Sequence, residues 1–158
     1  MFQESPAKLC KESTPADIRL AAMNLLARRE HSVGELRRKL GARFDDRDAV
    51  EDQLQRLGSE GLQSDERFAE SFVRQRISRG QGPLRIDRDL QQRSVASTTI
   101  CAALAAAQVD WCELAATVLQ KRFGPGTAAD ARELARRARF LQYRGFSGEH
   151  YRHLLDRG

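Results

Sequence analysis

Residues 14–29 read Thr-Pro-Ala-Asp-Ile-Arg-Leu-Ala-Ala-Met-Asn-Leu-Leu-Ala-Arg-Arg. Ile18, Ala21, Ala22, Leu25 and Leu26 fall at i, i+3, i+4, i+7 and i+8, the stripe of an amphipathic helix with one buried face. Its start is marked too. Thr14 offers a side-chain acceptor, Pro15 lacks the amide that a first helical residue leaves unpaired, and Asp17 sets a carboxylate against the remaining free amides. Ser32 followed by Glu35 repeats that start, and Trp111, Leu114, Ala115, Val118 and Leu119 repeat the stripe. Gly58, Gly80 with Gly82-Pro83, Gly124-Pro125 and Gly145 each follow a periodic segment and break it. Together these marks predict nine helices, over 15–29, 32–42, 46–58, 65–79, 84–93, 98–108, 111–123, 128–144 and 147–156. No stretch alternates with period two for long enough to make a strand. Fewer, longer helices would bury Gly-Pro pairs in helix interiors at about 3 kcal/mol for each proline.

The helices come in threes. Leu25-Leu26 recurs as Phe72-Val73 and as Val118-Leu119, each late in the first helix of a triplet, and Leu54, Leu104 and Leu154 recur at a spacing of 50. Ser97 and Ser147 precede short helices at that same spacing, with Asp46 near the matching place in the first triplet. Such self-similarity marks a helical array whose units each bury a face partly against their neighbours. The expected architecture is therefore all-α, an elongated and curved array of three tandem three-helix repeats over 15–62, 63–109 and 110–158, after a loose tail at 1–14. A single irregular nine-helix bundle with accidental similarities is the competing reading.

Charge follows the repeat. The chain of 158 residues is 41% hydrophobic and 31% charged, with 27 Lys plus Arg against 22 Asp plus Glu and a net charge of +5. That modest figure hides polarisation. Arg28 to Lys39 holds five basic and two acidic residues, Arg74 to Arg93 six and two, and Lys121 to Arg144 seven and two, so the remainder is net negative. Only Lys8, Lys11, Lys39 and Lys121 are lysines. Guanidinium forks grip phosphates or carboxylates at two points, which points to a polyanionic partner: nucleic acid, or a protein with acidic surface. Stacked repeats would bring the three windows onto one surface. On charge alone the expected contact residues are Arg28, Arg29, Arg37, Arg38 and Lys39 in the first window, Arg74, Arg76, Arg79, Arg85 and Arg88 in the second, and Arg136, Arg137 and Arg139 in the third.

Other chemistries find no support. The longest apolar run, Ile100 to Ala107, has eight residues, against roughly 18 for a bilayer span, and the first twenty residues hold no signal-like apolar stretch. A cytoplasmic monomer without membrane association is expected. Cys10, Cys101 and Cys112 form an odd count without CxxC spacing, fitting neither a disulfide framework nor a zinc site; Cys101 and Cys112 read as small hydrophobes. His150 and His153 could share a helix face, yet only Glu149 and Asp156 stand near, so no metal is expected. There is no phosphate-binding glycine loop, nucleophile elbow or HExxH, and no cofactor or catalytic residue is assigned. Aromatic residues are only 6%; Phe68, Phe72, Phe146 and Trp111 read as core. Base stacking, which single-strand binders rely on, is weakly supported.

The residues from Ala22 to Leu40, with Arg29-Glu-His-Ser32 and Glu35-Leu36 at their centre, resemble the opening of the bacterial RecX regulatory family. Gly61 to Arg74, containing Asp65-Glu-Arg-Phe-Ala69 and followed by Arg85-Ile86 and Leu90, is similar to its most distinctive block. Arg139-Phe-Leu-Gln-Tyr-Arg-Gly-Phe-Ser147 is similar to its C-terminal block. The sequence departs from the family at Ser64, where Asp is usual, and at Ser94, where Gly is usual. The resemblance implies tandem three-helix units and a non-enzymatic protein that binds the RecA recombinase, chiefly as its filament on single-stranded DNA, and inhibits its ATPase, strand-exchange and co-protease activities. Contact with the DNA itself is expected to be weak or indirect. Asp65 and Arg67 lie in the family block and, near a helix start, read as structural residues that orient one another. Two alternatives stay open: a stand-alone DNA-binding protein of helix-turn-helix-like repeats, whose affinity would fall steeply with salt, and a helical adaptor with no DNA dependence.

Overall fold

The computed structural model describes residues 13–156. The expected tail therefore lies, up to residue 12, outside the described residues, as does Cys10. Among the described residues there are nine α-helices and no strand: α1 (Pro15–Arg28), α2 (Val33–Arg43), α3 (Arg47–Ser59), α4 (Asp65–Ser78), α5 (Pro83–Gln91), α6 (Ser97–Ala106), α7 (Trp111–Phe123), α8 (Ala131–Arg144) and α9 (Gly148–Leu155).

The starts obey local chemistry. Thr14 and Ser32 form reciprocal capping boxes with Asp17 and Glu35, and Asp46, Ser64, Asp110 and Asp130 each accept the amide of the third helical residue. Each such cap is worth about 1 kcal/mol. Ser97 does not cap: it is the first residue of α6, whose N-cap Ala96 has no side-chain acceptor to offer. The expected helix over 128–144 begins three residues later, at Ala131. Glu133 accepts the Ala129 amide at 2.8 Å and Arg137 donates to the Gly126 carbonyl at 2.7 Å, holding the preceding segment as a loop folded onto α8.

Packing follows the triplets. Every closely packed helix pair lies within α1–α3, α4–α6 or α7–α9. Three separate cores match: Ile18 to Leu57, Phe68 to Ala103, and Ala115 to Tyr151. Phe68, Phe72 and Phe146 are buried as expected. Trp111, half-buried, packs against both the second and the third core. Cys101 departs from its expected role, being exposed on α6, while Cys112 is half-buried.

Candidate partner-binding surface

With separate cores, the relative placement of the units depends on what joins them, and the family-like residues turn out to sit at the joints. At the first joint Ser32 faces both ways: its hydroxyl accepts the Glu35 amide at 3.0 Å and donates to the Arg93 carbonyl at 2.8 Å across the boundary. The Val33 amide donates to Asp65 at 2.9 Å, and Gln63 donates to the His31 carbonyl at 3.2 Å. Asp65 and Arg67 therefore do not orient one another. Asp65 receives Val33 and Gln63, and Arg67 pairs with Glu30 at 3.0 Å, so both tie the second unit to the first.

Glu35 is buried at this joint between Arg29 at 3.0 Å and Arg93 at 3.4 Å. Burial alone would raise its carboxyl. The Arg29 hydrogen bond and charge, with the Ser32 amide and the His31 charge, reverse that and hold it below the usual carboxylate range. Beside it His31 is 2% exposed. Its pKa is lowered by burial, against a hydrogen bond to the Arg29 carbonyl, with the charges of Arg29 and Lys39 lowering it further.

At the second joint the C-terminal block docks through its backbone. The Gly82 amide donates to the Arg144 carbonyl at 2.7 Å, the Leu84 amide to the Gly145 carbonyl at 3.0 Å, and the Arg144 side chain to the Arg79 carbonyl at 2.8 Å. A Cβ on Gly145 would stand 2.4 Å from the Arg85 Cβ, and one on Gly82 would stand 2.4 Å from the Gly145 backbone. Only glycine allows chains so close.

The thirteen arginine and lysine residues selected on charge divide accordingly. Arg28, Arg38, Arg74, Arg79, Arg88 and Arg139 are exposed, and no side-chain ion pair or ring contact holds them. Lys39 is exposed with its Nζ 3.5 Å from His31 Nε2. Arg29 is committed to Glu35, and Arg37 to Glu51, whose hydrogen bond raises the Arg37 pKa. Arg76 sits over the Phe72 ring at 4.5 Å; burial lowers its pKa against the attraction of Asp89, 3.9 Å away. Arg85 lies over Tyr143, which is 76% exposed, and Arg136 over Phe123. Arg137 is a correction: it is 6% exposed, pairs with Glu133 at 2.8 Å and braces the Gly126 carbonyl, so it holds α8 together instead of facing outward. Charge counting also passed over Arg93 and Arg144, whose joint contacts need the packed fold to be seen.

His150 accepts the Ser147 amide at 3.0 Å as part of the α9 start, separating it in role from His153. Among the described residues no group of three or more His, Cys, Asp or Glu side chains converges to hold a metal ion. No single described helix is long and apolar enough to cross a membrane.

Family models described as the first, second and third three-helix domains of RecX match residues 19–57, 64–104 and 108–155. The protein named Regulatory protein RecX from Halorhodospira halophila is 50% identical over 135 residues, 85% of this chain and 84% of its own length. That of Chromohalobacter salexigens is 47% identical over 146 residues, covering 92% and 93%. Among solved structures, RecX from Lactobacillus salivarius superposes with a TM-score of 0.72 at 22% identity, over 86% of this chain and 90% of that one. A second crystal structure, described as regulatory protein RecX, gives 0.70 at 25% identity, over 87% and 71%. Three matched domains in order, with relatives 50% and 47% identical over most of both chains, place this chain in the RecX family of regulatory proteins.

Proposed function

We propose that this chain is a negative regulator of the RecA recombinase, one that binds the recombinase filament on single-stranded DNA and inhibits its ATPase, strand-exchange and co-protease activities. In that role it modulates recombinational repair and the SOS response, as a cytoplasmic monomer without catalytic activity. The observation that carries the reading is the set of exposed, internally unsatisfied arginines, Arg28, Arg38, Arg74, Arg79, Arg88 and Arg139, spread over all three units. Family membership supports the regulatory role. An array of units bounded at about 15–62, 63–109 and 110–158 presents cations at intervals, which suits a repeating polyanionic assembly better than a compact ligand. Bound along such an assembly, the array changes its activity only by preferring one filament state over another.

The test is the ATPase rate of preformed recombinase filaments on single-stranded DNA, with this protein added below one copy per recombinase subunit. The expected result is a fall in rate that excess recombinase-free single-stranded DNA does not relieve. No effect, or an effect abolished by that competitor, would replace the proposal with simple nucleic-acid binding by the basic residues.

A further inference from the structure

Where α4 ends against α7 and α8, between the second and third units, lies an open cleft of about 270 Å³. Its apolar floor is made by Ile77, Leu114, Val118 and Phe140, with Ser78, Gly80 and Thr117 beside them. Its rim is cationic, made by Arg79, Lys121, Arg122 and Arg144, and no Asp or Glu lines it. The cleft at the first joint is different in kind, because Glu30 and Glu35 stand there among Arg29, Arg76 and Arg93. None of the four rim cations of the second cleft is in an ion pair. Arg122 lies over the Phe123 ring, and Arg144 lies over Phe140 while closing the end of α4 at the Arg79 carbonyl. Arg79 and Lys121 are exposed, with no side-chain partner.

The floor exists because Gly80 lets the end of α4 settle onto α7: a Cβ there would stand 2.7 Å from the Val118 Cγ2. A concave apolar floor ringed by unpaired cations is complementary to carboxylates flanking an apolar side chain. Its size is below the roughly 300–1,000 Å³ of small-molecule pockets, and suits one side chain with its flanking backbone. Nucleic acid fits less well, since bases need an open aromatic face. Phe140 packs edge-on to Phe123 at 5.4 Å and carries the Arg144 guanidinium 5.3 Å from its ring centre, leaving a mostly aliphatic floor. The chain's own residues 1–12 lack the charge complementarity, holding Glu4 and Glu12 against Lys8 and Lys11.

We propose that this cleft is a docking site for an acidic peptide segment of a partner protein, one that sets a single large apolar side chain on the floor and its carboxylates against the rim. The proposal does not depend on the recombinase reading. It names a chemistry, and only Arg79 is shared with the exposed arginines assigned above.

The probe is a fluorescein-labelled nonapeptide of Asp and Glu with one central Phe, titrated with the full-length protein by fluorescence anisotropy. A second probe carries Ser in place of Phe. Saturable binding of the Phe probe is expected, with the Ser probe at least about tenfold weaker, because burying an aromatic ring supplies the larger share of the contact. Lys121→Glu combined with Arg122→Glu, both exposed positions, is expected to weaken the Phe probe about tenfold and to flatten its salt dependence. Thr117→Trp, exposed at the cleft, fills the floor and should erase the preference for Phe over Ser while leaving the rim charges in place. Helical circular dichroism equal to the parent's checks both variants.

Five results would overturn the proposal. Equal binding of the two probes, or displacement by oligothymidylate of the same length as readily as by unlabelled peptide, would make the cleft part of a general polyanion surface. No binding, or binding untouched by both variants, would remove the site. Competition from self-association that grows with protein concentration would assign the cleft to a second copy of this chain.

Discussion

Gly145→Ala should damage the second joint in two separable ways. Gly145 ends α8 at φ +97°, in left-handed space where an L-residue costs about 1–2 kcal/mol. The added Cβ also meets Arg85, with the backbone nitrogen at 2.6 Å as well as the side chain at 2.4 Å, and forcing a packed site apart costs about 1–3 kcal/mol. The expected total is about 2–5 kcal/mol. Two further glycines isolate the parts. Gly82→Ala introduces only the clash, since Gly82 has φ −85° yet faces the Gly145 backbone at 2.4 Å, and should cost about 1–3 kcal/mol. Gly61→Ala introduces only the strain, since φ is +74° with nothing within 4 Å, and should cost about 1 kcal/mol. Urea unfolding reads all three. With a slope near 2 kcal/mol/M, 3 kcal/mol moves the midpoint by about 1.5 M. Trp111, the single tryptophan, lies against the second and third cores. Its emission should shift to the red in Gly145→Ala and Gly82→Ala and stay put in Gly61→Ala. A Gly145→Ala protein within about 0.5 kcal/mol of the parent, or one no less stable than Gly61→Ala, would refute the idea that glycine is needed for the two units to touch.

Ser94 holds φ +61°, so Ser94→Gly, which removes the Cβ from left-handed space, should raise stability by about 0.5–1 kcal/mol in the same urea assay. His31, buried with a lowered pKa, leaves its proton to the unfolded chain, which binds it near pH 6.5. The stability it contributes is complete above that pH and falls as pH drops below it; His31→Gln should flatten the urea midpoint between about pH 7.5 and 5.5. Glu35 acts in a lower window. Its lowered pKa means stability present above the unfolded value of about 4.3 and lost on further acidification, so Glu35→Gln should remain less steep than the parent below about pH 4.

The helices were legible because their signals are local. A hydroxyl three residues before a carboxylate, or an apolar stripe ended by Gly-Pro, is complete within one turn or two, and Thr14, Ser32 and Asp46 cap where the spacing says they should. The repeat was legible for the same reason, since Phe72-Val73 and Val118-Leu119 are buried at matching places in successive cores. The state of each cation was not. Arg37 meets Glu51 from fourteen residues away, and Arg29 meets Glu35 around a turn, so which arginines remain free is decided by packing that charge counting does not contain. Arg137 with Glu133, at i and i+4, was readable as a helical pair. The joints lay in between: the family-like blocks marked Ser32, Asp65 and Gly145, while their contacts, spanning 61 residues for Ser32 to Arg93, belong to tertiary structure.

Separate cores also set the order in which the chain can be finished as it is made. The first core closes between Ile18 and Leu57 and asks nothing of later residues, and contacts of such short span form quickly. A nascent chain can therefore complete one unit while the next is still being synthesised. What must wait is the joint: the Val33 amide stays with water until Asp65 emerges, and the Ser32 hydroxyl proton until the Arg93 carbonyl does. Each unit is thus folded before it is aimed, and the second joint, where Arg144 and Gly145 reach Gly82 and Leu84, closes only after the first.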